Sequence, residues 1–215
     1  MLTLYGHLLS APTNKVRYIA NYINLAYTFK IVDLLQGEHQ KAEYKAINPL
    51  GKIPALSDDG FVVAESNAII RYLANKYDSN LYPDNIQAKA IIDQWLDYAS
   101  QHIMVPFAKI TWNLYFCKLL GDGTTDDKGL KEGHHFLNRN LPVVEDNLNK
   151  HDYIAGSDIT IADFAMLASM DTAEACEVDL NKYPAIIAWR NKLMSEDFYT
   201  KCHKNYMEVL QKFIK

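Results

Sequence analysis

Along the first part of the chain, apolar positions switch between strand-like runs and a helical period. Leu2–Gly6 is a short apolar run that predicts a strand, and the residues from His7 to Pro12 read as a loop. Val16, Ile19, Ala20 and Ile23 then recur at the spacing of one helix face, which predicts a helix over 13–24. The β-branched and aromatic residues of 27–34 predict a second strand. Strand, helix and strand in succession form a βαβ unit, with parallel pairing and a right-handed crossover. Residues 37–47 are polar and read as a short irregular helix, followed by a turn at Asn48-Pro49-Leu50-Gly51. Two apolar runs, 53–56 and Phe61–Ala64, flank Asp58-Asp59-Gly60, a hairpin signal. Ser66 is expected to cap a helix reaching about Lys76, with Ala68, Ile69, Tyr72 and Leu73 on one face.

The order β-α-β-α-β-β-α is complete by then, and it is the thioredoxin-like arrangement. Residues 77–85, with Pro83, read as a linker, and no convincing strand follows. The pattern predicts a long helix over 86–120, a loop over 121–129 and a helix over 131–149, with a kink or break at Pro142. A short buried helix over 160–175, rich in Ala, Met and Phe, precedes helices at Pro184–Met194 and 199–213. The expected fold class is an α/β thioredoxin-like N-terminal domain (1–78) followed by an all-α helical C-terminal domain (86–215).

Composition narrows this picture by exclusion. With 215 residues, 49% of them hydrophobic, the chain is long enough to bury substantial cores. A net charge of -4 gives no footprint for nucleic acid or an acidic membrane. Seven histidines show neither HExxH nor zinc-type Cys/His spacing, so no metal is expected. Three widely spaced cysteines, Cys117, Cys176 and Cys202, argue against a disulfide framework and for a reducing compartment. The N-terminus lacks a basic region followed by a long apolar run, and no stretch suits a bilayer span. The expected location is the cytoplasm.

Three segments carry a family resemblance that extends over essentially the whole chain. They are Leu8-Leu9-Ser10-Ala11-Pro12, then Gly37-Glu38-His39 with Asn48-Pro49-Leu50-Gly51-Lys52-Ile53-Pro54-Ala55-Leu56, and Glu65-Ser66-Asn67-Ala68-Ile69. Together they resemble the cytosolic glutathione transferases, in particular the serine-type theta and phi classes. In the helical half, Ser157-Asp158-Ile159-Thr160-Ile161-Ala162-Asp163 is similar to that family's folding motif. Thr160 and Asp163 have capping-box spacing, and Ile159 with Phe164 fits a hydrophobic staple.

The resemblance implies a site for glutathione. The tripeptide's thiol, with an unperturbed pKa of about 8.5, is mostly unreactive at neutral pH, and the thiolate is the nucleophile. A hydroxyl donor aimed at sulfur, near a helix N-terminus, favours the thiolate. Ser10, between strand and helix, is the expected catalytic residue. Tyr5 is its rival and Thr13 a reserve donor, and a serine here also suits a plain helix cap. Ser10-Ala11-Pro12-Thr13 stands where thioredoxin-type enzymes carry Cys-x-x-Cys, which argues against disulfide exchange. Glu65 would take the γ-glutamyl amino group, and Ser66 with its helix N-terminus the α-carboxylate. Pro54, the family's cis-proline position, would present the backbone of Ile53 to the cysteinyl part. His39 and Lys52 would hold the glycyl carboxylate, though a solvated surface suits each as well.

A second substrate would sit between the domains. Met104, Phe107, Ala108 and Thr111 lie at helical spacing and could line that pocket, or equally form a core seam. Trp112, Tyr115 and Phe116 have the same two readings. Some classes of the family add an acid from the partner subunit, and here Ser100-Gln101 occupies the region where that acid is expected. The Asp58-Asp59 pair, Gly121-Asp122-Gly123 and the adjacent His134-His135 suit a turn, a loop and two different helix faces, and carry no chemistry of their own. The expected function is conjugation of glutathione to small hydrophobic electrophiles by a homodimer. A non-catalytic binding module, or a glutathione-dependent dehalogenase, isomerase or peroxidase on the same fold, is the alternative.

Overall fold

The computed structural model describes residues 1–77, 80–176 and 178–212. Residue 78, the expected end of the first domain, and the last three residues of the expected second domain lie outside the described residues, as does Phe213, the expected end of the last helix.

Four strands, β1 (Leu2–Gly6), β2 (Thr28–Ile31), β3 (Ala55–Asp58) and β4 (Phe61–Ala64), form one sheet in the order β2-β1-β3-β4. β1 and β2 run parallel, as a βαβ crossover requires, and the other two pairings are antiparallel. The β3–β4 hairpin turns on Asp59 (φ 48) and Gly60 (φ 92), and positive φ at both central residues suits a tight two-residue turn. Asp58 is not in the turn. It ends β3, with its carboxylate bonded to Tyr72 Oη at 2.8 Å and to Lys76 Nζ.

Helices α1 (Ala11–Tyr22) and α3 (Ser66–Lys76) pack on each other and on α8 (Ile161–Ser169) of the helical half. α1 is therefore buried all round over its first turns, and even Asn14, Lys15 and Arg17 are enclosed. The polar stretch 37–47 forms a 3-10 turn (Glu38–Gln40) and the single-turn α2 (Ala42–Lys45). One core cluster joins Leu4, Val16 and Ile69 to Leu96, Phe107 and Phe164, so the two halves share it. Each such fully buried apolar side chain contributes roughly 1.5–3 kcal/mol by removal from water.

The expected long helix is present but not uniform. α4 (Ile86–Tyr98) continues through a π-helical stretch (Ala99–Met104) into α5 (Val105–Thr111), a second π-helical stretch (Trp112–Phe116) and α6 (Cys117–Leu120). α7 (Asp127–Leu148) runs through Pro142 without ending there, so of the expected kink or break the break does not occur. Its packing against α5 and α9 (Pro184–Met194) outweighs the one backbone bond that proline removes. The helix expected over 160–175 is α8 followed by a 3-10 turn (Asp171–Ala175). Thr160 and Asp163 form a complete capping box at its start. The helix expected over 199–213 divides into α10 (Asp197–Thr200) and α11 (Tyr206–Leu210), because the intervening His203 is drawn inward to the buried Asp171 and half-buried Glu174 carboxylates. Among the described residues, no helix is long and apolar enough to cross a membrane.

Candidate functional site

The pairing of β1 with β3, Tyr5 against Ala55, and of β3 with β4, Ala55 against Ala64, brings three chain segments to one end of the sheet. The loop after β1 carries His7 and Ser10. The segment before β3 carries Lys52, Ile53 and Pro54, and the residues after β4 are Glu65 and Ser66.

Ser10 is the N-cap of α1, with extended backbone (φ -107, ψ 105). Its Oγ accepts the Thr13 backbone N–H at 3.2 Å, which leaves the hydroxyl proton free to donate elsewhere. It also lines a cavity of about 370 Å³ between the two halves. His7, Leu9, Leu34, Leu35 and Ile53 line the same cavity from the N-terminal half. From the long helix come Met104, Val105, Ala108, Thr111, Trp112 and Phe116. The two π-helical stretches bracket α5, and such widened turns recur at functional sites because they re-aim the residues beyond them.

The stripe read for a second-substrate pocket thus divides. Met104, Ala108 and Thr111, at i, i+4 and i+7, face the cavity. Phe107 is corrected: it is 1% exposed in the common core, because α5 turns that residue inward. Tyr115 likewise turns away, packing on a small cluster with Tyr206 and Leu210. Of the alternatives to Ser10, Tyr5 packs edge-on to Tyr44 at 6.3 Å with Lys30 Nζ 5.5 Å from its ring, and it does not line the cavity. Thr13 Oγ1 is buried with no hydrogen-bond partner among the described residues.

At the start of α3 the cap differs from expectation. Glu65, not Ser66, is the N-cap, at φ 66 and ψ 112, and no side chain caps the helix. A β-carbon at positive φ is costly, and such strain concentrates where a site needs it. Ser66 is the first helical residue, so its hydroxyl stands beside uncapped N–H groups. The Ile53–Pro54 peptide bond is cis. Tyr44 Oη and Asn48 Nδ2 both donate to the Lys52 carbonyl, at 2.7 and 2.6 Å, and fix the approach to that bond. The Lys52 side chain is exposed, and His39 Nδ1 is buried with no hydrogen-bond partner among the described residues. Gly51 (φ 61) lets these two segments meet, since a β-carbon there would stand 2.7 Å from the His39 carbonyl oxygen.

Two residues not anticipated from the sequence belong to this region. The His7 ring lies in the cavity wall, with Nδ1 accepting the Leu9 N–H at 3.2 Å. Burial holds its pKa below the usual histidine value, against the pull of Asp33. Lys15 is 1% exposed, and its Nζ donates to Asn67 Oδ1 at 2.5 Å. Asn67 Nδ2 donates in turn to Ser100 Oγ at 3.0 Å. Burial, aided by Arg71 and opposed by Glu65, brings the Lys15 pKa down to about 7. Neither residue sits in a pattern that signals its place, because a loop histidine and a helical lysine ordinarily face water. Among the described residues, no group of His, Cys, Asp and Glu could hold a metal ion.

Comparison with known proteins gives concordant results for both halves. Residues 1–75 match the family model for the glutathione S-transferase N-terminal domain, and residues 97–197 that for the C-terminal domain. Glutathione S-transferase F10 of Arabidopsis thaliana is 36% identical over 172 residues, 78% of each chain. Glutathione S-transferase theta-2 of Rattus norvegicus is 30% identical over 216 residues, 97% of this chain and 88% of that one. The solved structure of glutathione transferase E6 from Drosophila melanogaster superposes with a TM-score of 0.84 at 32% identity, covering 100% of this chain and 96% of that one.

Proposed function

We propose that this chain, which belongs to the glutathione S-transferase family and is a glutathione transferase, holds the thiolate of glutathione on Ser10 and joins it to small hydrophobic electrophiles. One observation carries this reading. Ser10 Oγ caps α1 by accepting a backbone N–H, keeps its own proton, and opens on an almost wholly apolar cavity. A donated proton and the positive end of α1 both favour S⁻ over S–H. Thiolate formation and positioning then supply the rate.

The remaining parts of glutathione have chemically matched groups at the same end of the sheet. The exposed Glu65 carboxylate suits the γ-glutamyl amino group. Ser66 and the uncapped α3 N–H groups suit its α-carboxylate. The backbone N–H and C=O of Ile53 suit the cysteinyl amide. Lys52 and His39, with its unpartnered Nδ1, suit the glycyl carboxylate. Met104, Ala108 and Thr111 would receive the electrophile. Exposed Phe61 and Val62 on β4, and Phe136 and Val143 on α7, favour a homodimer, which light scattering in solution would test. Three free, buried cysteines accord with a reducing compartment such as the cytoplasm.

The test is a pH titration of the ultraviolet thiolate absorbance of glutathione bound to the wild type and to Ser10→Ala. The reading expects a depressed thiol pKa in the wild type that returns toward the free value in the variant. Equal values in the two proteins would remove Ser10 from its role.

A further inference from the structure

The cavity beside Ser10 is poor in groups that can still donate a proton. Thr111 Oγ1 is spent on the carbonyls of Phe107 (3.0 Å) and Ala108 (3.2 Å) in its own helix. Ser169 Oγ is spent on the Ala165 carbonyl at 2.7 Å. Among the described residues, His7 is the one ionisable side chain in the cavity lining. Its Nδ1 accepts the Leu9 N–H at 3.2 Å, so the neutral ring carries its proton on Nε2. That bond also fixes the ring's orientation, since a flipped or doubly protonated ring would set N–H or C–H against N–H. No described residue takes up Nε2.

We propose that His7 is a further catalytic residue, whose Nε2–H stabilises negative charge developing on an oxygen of the second substrate, and that it thereby selects electrophiles such as conjugated ketones and aldehydes. Thr172 and the exposed indole of Trp112 also carry donors, but they belong to the helical half. His7 shares one turn with Ser10, whose N–H bonds the His7 carbonyl at 3.1 Å. A single rigid turn therefore carries a donor for the sulfur and a donor for the oxygen. The inference rests on the glutathione reading above.

The chemistry balances without an added reactant. The thiolate sulfur forms a bond to the β-carbon of the conjugated carbonyl. The C=C π pair shifts toward the carbonyl carbon, and the carbonyl π pair moves to oxygen, where Nε2–H meets the new charge. The resulting enolate takes a proton from water at the α-carbon, which returns the proton the thiol gave up on ionising. An alkyl halide differs, because its negative charge leaves on the halide and no oxygen needs a donor. The neutral ring suits an apolar cavity that takes uncharged molecules, and burial keeps His7 below its usual pKa, so it remains neutral at physiological pH.

The experiment compares kcat/KM of the wild type, His7→Phe and His7→Gln with a conjugated aryl ketone and a primary alkyl iodide, alongside the bound-thiolate titration. His7→Phe should lose roughly a hundred- to a thousandfold on the ketone, with the iodide rate and the thiolate pKa nearly unchanged. His7→Gln, which keeps an N–H donor, should recover much of the ketone rate. Equal losses on both substrates, or no loss on the ketone, would overturn the role. A wild type whose bound thiol pKa is not depressed would strike the glutathione reading instead, and His7's role with it.

Discussion

Thr13 packs directly beneath Gly6: a β-carbon on Gly6 would stand 2.6 Å from Thr13 Oγ1. Gly6 ends β1 and Thr13 lies buried in the first turn of α1, so this close approach sets how tightly the loop bearing Ser10 is drawn between strand and helix. Thr13 is β-branched and enclosed, with little freedom to turn aside. Gly6→Ala should therefore destabilise the protein by roughly 1–3 kcal/mol and lower turnover with it. Gly6→Ala combined with Thr13→Ala should recover most of the loss in urea unfolding, since Thr13 Oγ1 has no bond to forfeit. Additive losses in the double variant would show that the clash lies elsewhere.

Residues with local chemistry were the most legible in the sequence. Asp59-Gly60 and Pro184 mark their turn and helix start because positive φ and a missing N–H act within one or two residues, and Phe61–Ala64 and Pro184–Met194 appear at the bounds expected for them. The misplacements come from tertiary forces. Glu65 sits at φ 66 against its propensity, so the cap of α3 lies one residue before the serine that pattern favours. Phe107 and Ala108 are neighbours, and periodicity alone cannot say which helix edge meets a core and which a cavity. Lys15 and Arg17 are buried because α1 is enclosed by α3, α8 and α10, with Arg17 also lying over the Phe29 ring of β2, a fact of topology that no window of α1 contains.

Lys15 should make stability rise with pH. Its folded pKa of about 7 lies below the usual 10.5, so between those values the unfolded chain binds the extra proton. The burial penalty is complete below about pH 7 and relieved above it. Relative to the wild type, Lys15→Met should be most stable near pH 6.5. That advantage should shrink by up to about 1.4 kcal/mol per pH unit toward pH 8.5. Urea unfolding at several pH values measures this, and a pH-independent difference would mean that Lys15 stays charged.

His203 should act in the opposite sense. Tyr18 Oη donates its single proton to Asp171 Oδ2 at 2.6 Å, so at 3.1 Å from His203 Nδ1 it accepts. Nε2 lies 3.1 Å from Glu174 Oε1, and a doubly protonated ring satisfies both contacts. Burial pulls the pKa down, but the facing carboxylates of Asp171, 3.7 Å from Nδ1, and Glu174 prevail and bring it up to about 9. Its stabilisation is complete below the ordinary value of 6.5 and lost as pH rises through about 9. His203→Gln should cost most near pH 6 and much less at pH 9.5. A ring titrating near 6.5 by NMR would refute the clasp. Glu174 also accepts the Tyr206 N–H at 3.1 Å, so α11 should loosen in the variant.

Asp163 concentrates more connections than any other side chain of the helical half discussed above. Oδ1 accepts from Ile154 N at 2.9 Å and Trp189 Nε1 at 3.1 Å, and Oδ2 from Thr160 N at 2.9 Å and Thr160 Oγ1 at 3.2 Å. One carboxylate thus ties the loop before α8, the start of α8 and the face of α9. It is fully enclosed, and burial pushes its pKa up to about 6 against the pull of these donors, which leaves it ionised at neutral pH. Asp163→Ala strands two backbone N–H groups and an indole N–H without acceptors, and each unsatisfied buried donor costs about 1–3 kcal/mol. The sum, more than about 3 kcal/mol, is a large share of the stability of a typical domain. Asp163→Asn keeps the shape but turns an NH₂ toward donors, and should fall between Asp163→Ala and the milder Thr160→Ala, whose lost cap costs about 1 kcal/mol. Unfolding midpoints of the three variants should follow that order, while the thiolate pKa of the folded fraction stays put, since none of these groups reaches the cavity. A small and equal effect in all three would mean that water replaces the carboxylate and that the motif is not what anchors α8.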